Sequence, residues 1–189
     1  VQQTLASLAA TKFNKIRMTV MPKNYDVYIN NEPPFYPFVR SDEGWDFNRP
    51  DPVFFRNFEN RISDLQKLGI EADVILFHPY DLGKWNLDKM NRGQANFYLR
   101  YLIARIAAYR NVWWSMANEY DIMGKSDEEW EEYFRTIQTY DPFRHLCSIH
   151  NGMGWYNHAR PWITHLSIQT PYFQDIQDWR ELYKKPVII

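Results

Sequence analysis

Asn118 and Glu119 carry the most distinctive chemistry in this chain. They end the run Val112-Trp113-Trp114-Ser115-Met116-Ala117, and Tyr120 and Asp121 follow at once. Six mostly apolar residues rich in Val and Trp are too short for a helix and suit a buried strand. Such a strand, stopping on an amide, a carboxylate, a phenol and a second carboxylate, ends where α/β proteins hold ligands. A carboxyl group in that position can serve as a general acid or base. Other apolar runs also stop on polar groups: His78 ends one, His150 and Asn151 end another, and Gln169 a third.

The elements that must position these groups follow from periodicity. Leu5 to Phe13 reads as the end of a helix, and Lys15 to Val20 as a strand stopping before Pro22. Lys23 to Pro50 has several prolines, many aromatics and no steady period, which makes it a long loop of the kind that shapes sites. Asp51-Pro52 starts a helix with a cap and a proline in the first turn. Phe55, Phe58, Ile62 and Leu65 form its apolar stripe, and Gly69 ends it.

Ala72 to Phe77 is the next strand, stopping on His78-Pro79-Tyr80-Asp81. A polar loop from Asp81 to Gln94, with Trp85 exposed or lining a cleft, leads to a helix from Asn96 to Tyr109. After the Asn118-Glu119 strand, Ser126-Asp127-Glu128-Glu129 has the form of a capping box, starting a helix through Trp130, Phe134 and Ile137. Leu146 to Ile149 and Thr164 to Ile168 are short strands. Ile176, Trp179 and Leu182 mark a last helix, and Pro186 to Ile189 a last strand.

Strands alternating with helices imply a parallel sheet and the α/β class. In a doubly wound sheet the polar strand ends gather at one switch point. Here they fall on four strands, as a barrel needs when its site is assembled from loops around its C-terminal face. No glycine-rich phosphate loop is present, which also disfavours a nucleotide-binding sheet. Six strands are recognisable, whereas eight close such a barrel in about 250 residues. The chain therefore reads as a single domain over residues 1–189, a piece of a (β/α)8 TIM barrel.

Composition narrows the partners. The 189 residues are 45% hydrophobic, and 22 Lys+Arg balance 23 Asp+Glu, so neither nucleic acid nor a membrane surface is indicated. Aromatics reach 17%, with eight Trp and thirteen Tyr, which suits a bulky core or rings that stack on sugars. The single Cys147 excludes an internal disulfide. No apolar run is long enough to span a bilayer, and the N-terminus lacks a signal-peptide pattern. No cofactor is expected.

At these residues the chain resembles the clan A glycoside hydrolases, which are (β/α)8 barrels with Asn-Glu at the end of strand four. An Arg on the second strand fits Phe13-Asn14-Lys15-Ile16-Arg17, and a His at the end of the third fits His78. Ile75-Leu76-Phe77-His78-Pro79-Tyr80-Asp81 and Tyr109 to Asp121 look more closely like bacterial apiosidase-like barrels. The resemblance runs over nearly the whole chain and places it on roughly strands two to seven. It implies a retaining glycosidase of poly- or oligosaccharides, in a multidomain protein with accessory β-domains. Glu119 is then the acid/base and Asn118 the partner of the sugar hydroxyl next to the reacting carbon. A second carboxylate about 5 Å away is the nucleophile. The resemblance puts that Glu at the end of strand seven, which Lys185-Pro186-Val187-Ile188-Ile189 matches, so it is expected just beyond Ile189.

Each assignment has a plainer competitor. Glu119 could be a structural carboxylate paired with Arg17, and Arg17 a holder of carboxylates rather than a contact to substrate. His78, His150, Asn151 and Gln169 are candidate sugar contacts or satisfied core groups. Trp113 and Trp114, being adjacent, point to opposite faces of their strand and both suit a core. Trp45 and Trp85 are the candidates for sugar stacking. Asp121 tunes Glu119 or bonds loop amides. A metal reading would gather His78, Asp81, His150 and His165, yet none shows close His-x-His or Glu-x-x-His pairing. A degenerate barrel that binds glycan without cleaving it is the non-enzymatic alternative.

Overall fold

The structure, a computed structural model, describes residues 2–25, 28–42 and 44–189. Helix α1 (Gln2–Ala9) leads into strand β1 (Lys15–Thr19), and strands β2 (Phe38–Ser41) and β3 (Gly44–Pro50) precede helix α2 (Pro52–Lys67). Strand β4 (Glu71–Phe77), helix α3 (Arg92–Ile106), strand β5 (Val112–Ala117) and helix α4 (Asp127–Tyr140) follow. The short strands β6 (Cys147–Ser148) and β7 (Leu166–Ser167), helix α5 (Ile176–Tyr183) and strand β8 (Val187–Ile188) complete the order.

Strands β1, β4, β5 and β6 form one parallel sheet in that order. A parallel bridge between His150 and Ser167 carries the ladder on to β7, which pairs in parallel with β8. Parallel strands laid side by side in chain order, with helices between all but β6 and β7, make an arc of an α/β barrel. Among the described residues, no helix is long and apolar enough to cross a membrane.

Local chemistry sets the helix starts. Asp51 accepts the Val53 amide at 2.7 Å, with Pro52 in the first turn. Ser126 and Glu129 cap each other's backbone reciprocally, as their spacing predicts. Phe55, Phe58, Ile62 and Leu65 on α2, and Trp130, Phe134 and Ile137 on α4, are buried in one continuous core. Burying a side chain of this size contributes roughly 1.5–3 kcal/mol, so these stripes fix the helices on the sheet.

Trp113 and Trp114 do turn to opposite faces. Trp114 is fully buried and donates through Nε1 to Asp141 at 2.9 Å, below the end of α4. Trp113 lies on the other face, with the Lys15 ammonium 4.9 Å from its ring and His165 edge-on at 5.2 Å. That inner face is polar. Arg17 stands in register with Asp73, which stands in register with Trp113.

Several expectations need correction. The stretch from Lys23 to Pro50, read as loop, contains an antiparallel hairpin of β2 and β3. Trp45 and Phe47 alternate with Asp46 and Asn48 there, a period of two obscured by the surrounding prolines. Residues 26, 27 and 43 of that stretch lie outside the described ones. Helix α3 begins at Arg92 rather than Asn96, because Asn91 and Gln94 form a second capping box. Trp85 is 5% exposed, and its indole donates to Glu32 at 2.7 Å. Trp45 donates to the Trp85 carbonyl at 2.6 Å, so both rings hold the loop to the domain.

Candidate active site

The turn after β5 is built by backbone hydrogen bonds from both neighbouring strands. The Asn118 amide donates to the Phe77 carbonyl at 3.0 Å, in continuation of the β4–β5 ladder. On the other side, the His150 amide donates to Ala117 at 2.9 Å and the Tyr120 amide to His150 at 3.1 Å. Between them Glu119 adopts φ 48° and ψ 53°, a left-handed conformation that costs a residue with a Cβ roughly 1–3 kcal/mol. Strain of this kind, held by packing and hydrogen bonds on both sides, clusters at functional sites.

Asp121 secures the turn from beyond. Its carboxylate accepts the amides of Gly152 at 2.6 Å, Met153 at 2.8 Å and Gly154 at 2.7 Å. Burial pushes this carboxyl up, but the amides outweigh it and hold the group below the usual carboxylate range. Of the two roles weighed for Asp121, bonding loop amides is the one its contacts display.

Glu119 opens into a cleft of about 620 Å³. Arg17, Asn118, His150 and Gln169 share that cleft with it, so five of the seven residues singled out in sequence meet there. Among the described lining residues Glu119 is the one carboxylate. Asn151 sits just behind: its Oδ1 accepts the Gln169 amide at 3.0 Å and its Nδ2 donates to the Gln169 carbonyl at 3.4 Å. His78 does not line the cleft. It is 3% exposed, with Nε2 at 3.0 Å from the Met21 carbonyl and Nδ1 accepting the Tyr80 amide at 3.1 Å. Its ring instead supports Tyr80, stacked at 5.3 Å.

Tyr80 is the larger contributor from that strand end. Its hydroxyl is the hydrogen-bond partner of Asn118 Nδ2, and burial, with the neighbouring Glu119, pushes the phenol well up. The phenol therefore stays protonated and able to donate. Lys23 and Tyr25 enter the cleft from the start of the Lys23–Pro50 stretch, which the sequence marks as site-shaping without singling out either side chain. The Lys23 ammonium donates to the Tyr25 hydroxyl at 3.2 Å and lies 4.9 Å from the Tyr80 ring. Their place immediately after a parallel strand was the available signal.

Arg17 does not pair with Glu119 among the ion pairs of the described residues. Its Nη2 donates to Ser115 at 3.1 Å, and its Nε lies 3.5 Å from Asp73. Asp73 also takes Lys15 at 2.9 Å, so this buried carboxylate serves two cations. Burial lowers the Arg17 pKa, partly offset by Asp73, and the guanidinium remains charged. His150 is pulled down to about 4 by burial and by Arg17, so it is neutral near pH 7. Its Nδ1 lies 3.0 Å from Ser167 Oγ.

The groups weighed for a metal do not gather. Asp81 accepts the amides of Trp85, Asn86 and Leu87, while His165 lies beside Trp113 on the inner face. Among the described residues no three His, Cys, Asp or Glu side chains are placed to hold a metal ion.

The chain resembles solved glycoside hydrolase structures. A Bacteroides vulgatus ATCC 8482 protein classed as a candidate glycoside hydrolase is 44% identical with a TM-score of 0.91, over 98% of this chain and 39% of its own. A family 5 glycoside hydrolase from the same bacterium matches at 19% identity and a TM-score of 0.66, over 98% and 43%. The endo-β-1,4-mannanase of Thermotoga petrophila matches at 16% and 0.59, over 98% and 55%; these two likenesses show the barrel fold. The chain thus spans about two-fifths of the length of the first two structures. No curated protein matches it. The profile of the apiosidase-like catalytic domain matches residues 1–188, and the chain belongs to that family of glycoside hydrolase barrels.

Proposed function

We propose that this chain carries the acid/base side of a retaining glycoside hydrolase site acting on plant or microbial poly- or oligosaccharides. The observation that carries the reading is Glu119, held left-handed at the end of β5 as the one carboxylate among the described residues lining the cleft. In the first step Glu119 donates its proton to the leaving glycosidic oxygen, and in the second it takes a proton from the attacking water. Asn118, oriented by the Tyr80 hydroxyl, binds the hydroxyl next to the reacting carbon. Arg17, braced by Asp73 and Ser115, presents a fixed positive charge to the second carboxylate. His150 and Gln169 contact the sugar, and Asn151 acts by fixing the backbone of Gln169.

Retention requires a nucleophilic carboxylate about 5 Å from the acid/base. Asp121 is committed to three amides and Asp73 to two cations, so neither is free for that role. The nucleophile is proposed to come from sequence after Ile189, at the end of the strand that begins with β8. In the complete protein, hydrolysis of a panel of mannan, xylan and pectic oligosaccharides should be abolished by Glu119→Gln, with the first product keeping the anomeric configuration. The 189-residue chain alone should show no turnover, and robust hydrolysis by it would remove the argument for an external nucleophile.

A further inference from the structure

The fold buries Trp85 and ties Trp45 to its backbone, yet leaves another set of large side chains in solvent beside the cleft. Met153 is 94% exposed, Tyr172 59% and Trp155 44%. Exposed apolar groups set close together mark a binding surface more often than isolated ones do. These three line a second cavity of about 730 Å³, together with Trp179 of α5.

Trp155 is anchored while staying partly in solvent, with His158 edge-on to its ring at 5.5 Å. Its indole N–H donates to the Tyr183 hydroxyl at 2.8 Å, and its ring leans on Trp179 at 5.2 Å between centroids. A ring fixed in place loses little further freedom when a ligand settles on it. The polar groups around it are Asn151, Gln169 and Thr170, and among the described residues no charged side chain lines this cavity. Flat aromatic faces with neutral amides and a hydroxyl suit the C–H face and the hydroxyls of an uncharged sugar ring.

Two clamps tie this cavity to the Glu119 cleft. Gln169 lines both, and Asn151 holds its backbone from two sides. Asp121, two residues after Glu119, grips the amides of residues 152 to 154 immediately before Trp155. The Trp155 loop is therefore tied to the Glu119 turn by side chains that grip its backbone.

We infer that this second cavity is a subsite for an uncharged sugar ring of the same saccharide whose linkage lies at Glu119, stacked on Trp155 and Trp179 and edged by Tyr172. The inference rests on the proposed reading of the Glu119 cleft as a saccharide site. The complete protein carrying Glu119→Gln is titrated with mannohexaose, xylohexaose and galactohexaose, by calorimetry and by the tryptophan indole resonances.

At least one hexasaccharide is expected to bind and to shift the Trp155 and Trp179 indoles. Trp155→Ala should weaken that Kd about tenfold, and Tyr172→Ala, at an exposed position where the core is untouched, about threefold. The methyl monosaccharide of the same sugar should bind both variants as it binds the parent. Binding of a hexasaccharide with unmoved indoles and unchanged Kd in both variants overturns the subsite and leaves the saccharide cleft standing. No binding by any of the three overturns both. Self-association removed by Tyr172→Ala, without sugar-dependent shifts, assigns the surface to a second copy and overturns the subsite.

Discussion

Gly154 is packed against Asp121 so closely that a side chain there has no room. The carboxylate accepts the Gly154 amide at 2.7 Å, and a Cβ on residue 154 would lie 2.9 Å from the Asp121 Cβ. The contact joins the turn carrying Glu119 to the loop carrying Trp155, two parts of the chain some thirty residues apart.

Gly154→Ala is expected to push this loop off Asp121 and destabilise the protein by about 1–3 kcal/mol, as overpacking does. Chemical denaturation reads the change in midpoint. An unchanged midpoint would mean that the loop yields freely.

Asp121→Ala removes the acceptor of three amides. A hydrogen bond to a charged group contributes roughly 1.5–3 kcal/mol, and partial exposure of this carboxylate reduces the sum, so a loss of about 2–4 kcal/mol is expected. Hydrogen exchange at Gly152, Met153 and Gly154 should accelerate, with the amides of β4 unaffected.

Asp141 gives the protein a defined acid sensitivity. Burial pushes its carboxyl up, but His145, Trp114 and the amides of His145 and Phe143 outweigh it and hold the value at about 2, against 3.8 for the free group. The folded value is depressed, so this contribution is complete above 3.8 and is lost as pH falls toward about 2. Asp141→Asn should lower stability at pH 6 and flatten the decline across that window, as read by thermal melts at each pH.

The sequence made some of this legible and hid the rest for identifiable reasons. Asn118 and Glu119 stood out because an apolar strand stops on them abruptly, and Asp51-Pro52 and Ser126 to Glu129 announce helix starts through local chemistry alone. Parallel order followed from alternation. The Arg17–Asp73 pair did not, because it depends on register between residues in different strands. His78 and Tyr80 are two residues apart, and sequence could not tell that the histidine would face backbone while the tyrosine reached Asn118. Trp155 and Tyr172 lie in segments without periodicity, where only the folded loops reveal exposure.

Asp73 supports a further prediction. Asp73→Ala leaves Lys15 and Arg17 on the inner face without their shared anion, and removing one partner of a fully buried pair costs about 3–5 kcal/mol. Both cations are partly exposed, so about 2–3 kcal/mol is expected by urea unfolding. Asp73→Asn, which keeps the shape and loses the charge, should fall between the parent protein and Asp73→Ala.

The acid role of Glu119 is tested most directly by varying the leaving group. The complete protein and its Glu119→Ala variant are compared on dinitrophenyl and methyl glycosides of one sugar. Dinitrophenolate departs without a proton, whereas methanol needs one, and general acid catalysis contributes about 10²- to 10⁴-fold. A kcat/KM loss on the methyl glycoside exceeding that on the dinitrophenyl glycoside by at least about a hundredfold is the predicted result. Equal losses on both substrates would contradict the assignment of Glu119 as the proton donor.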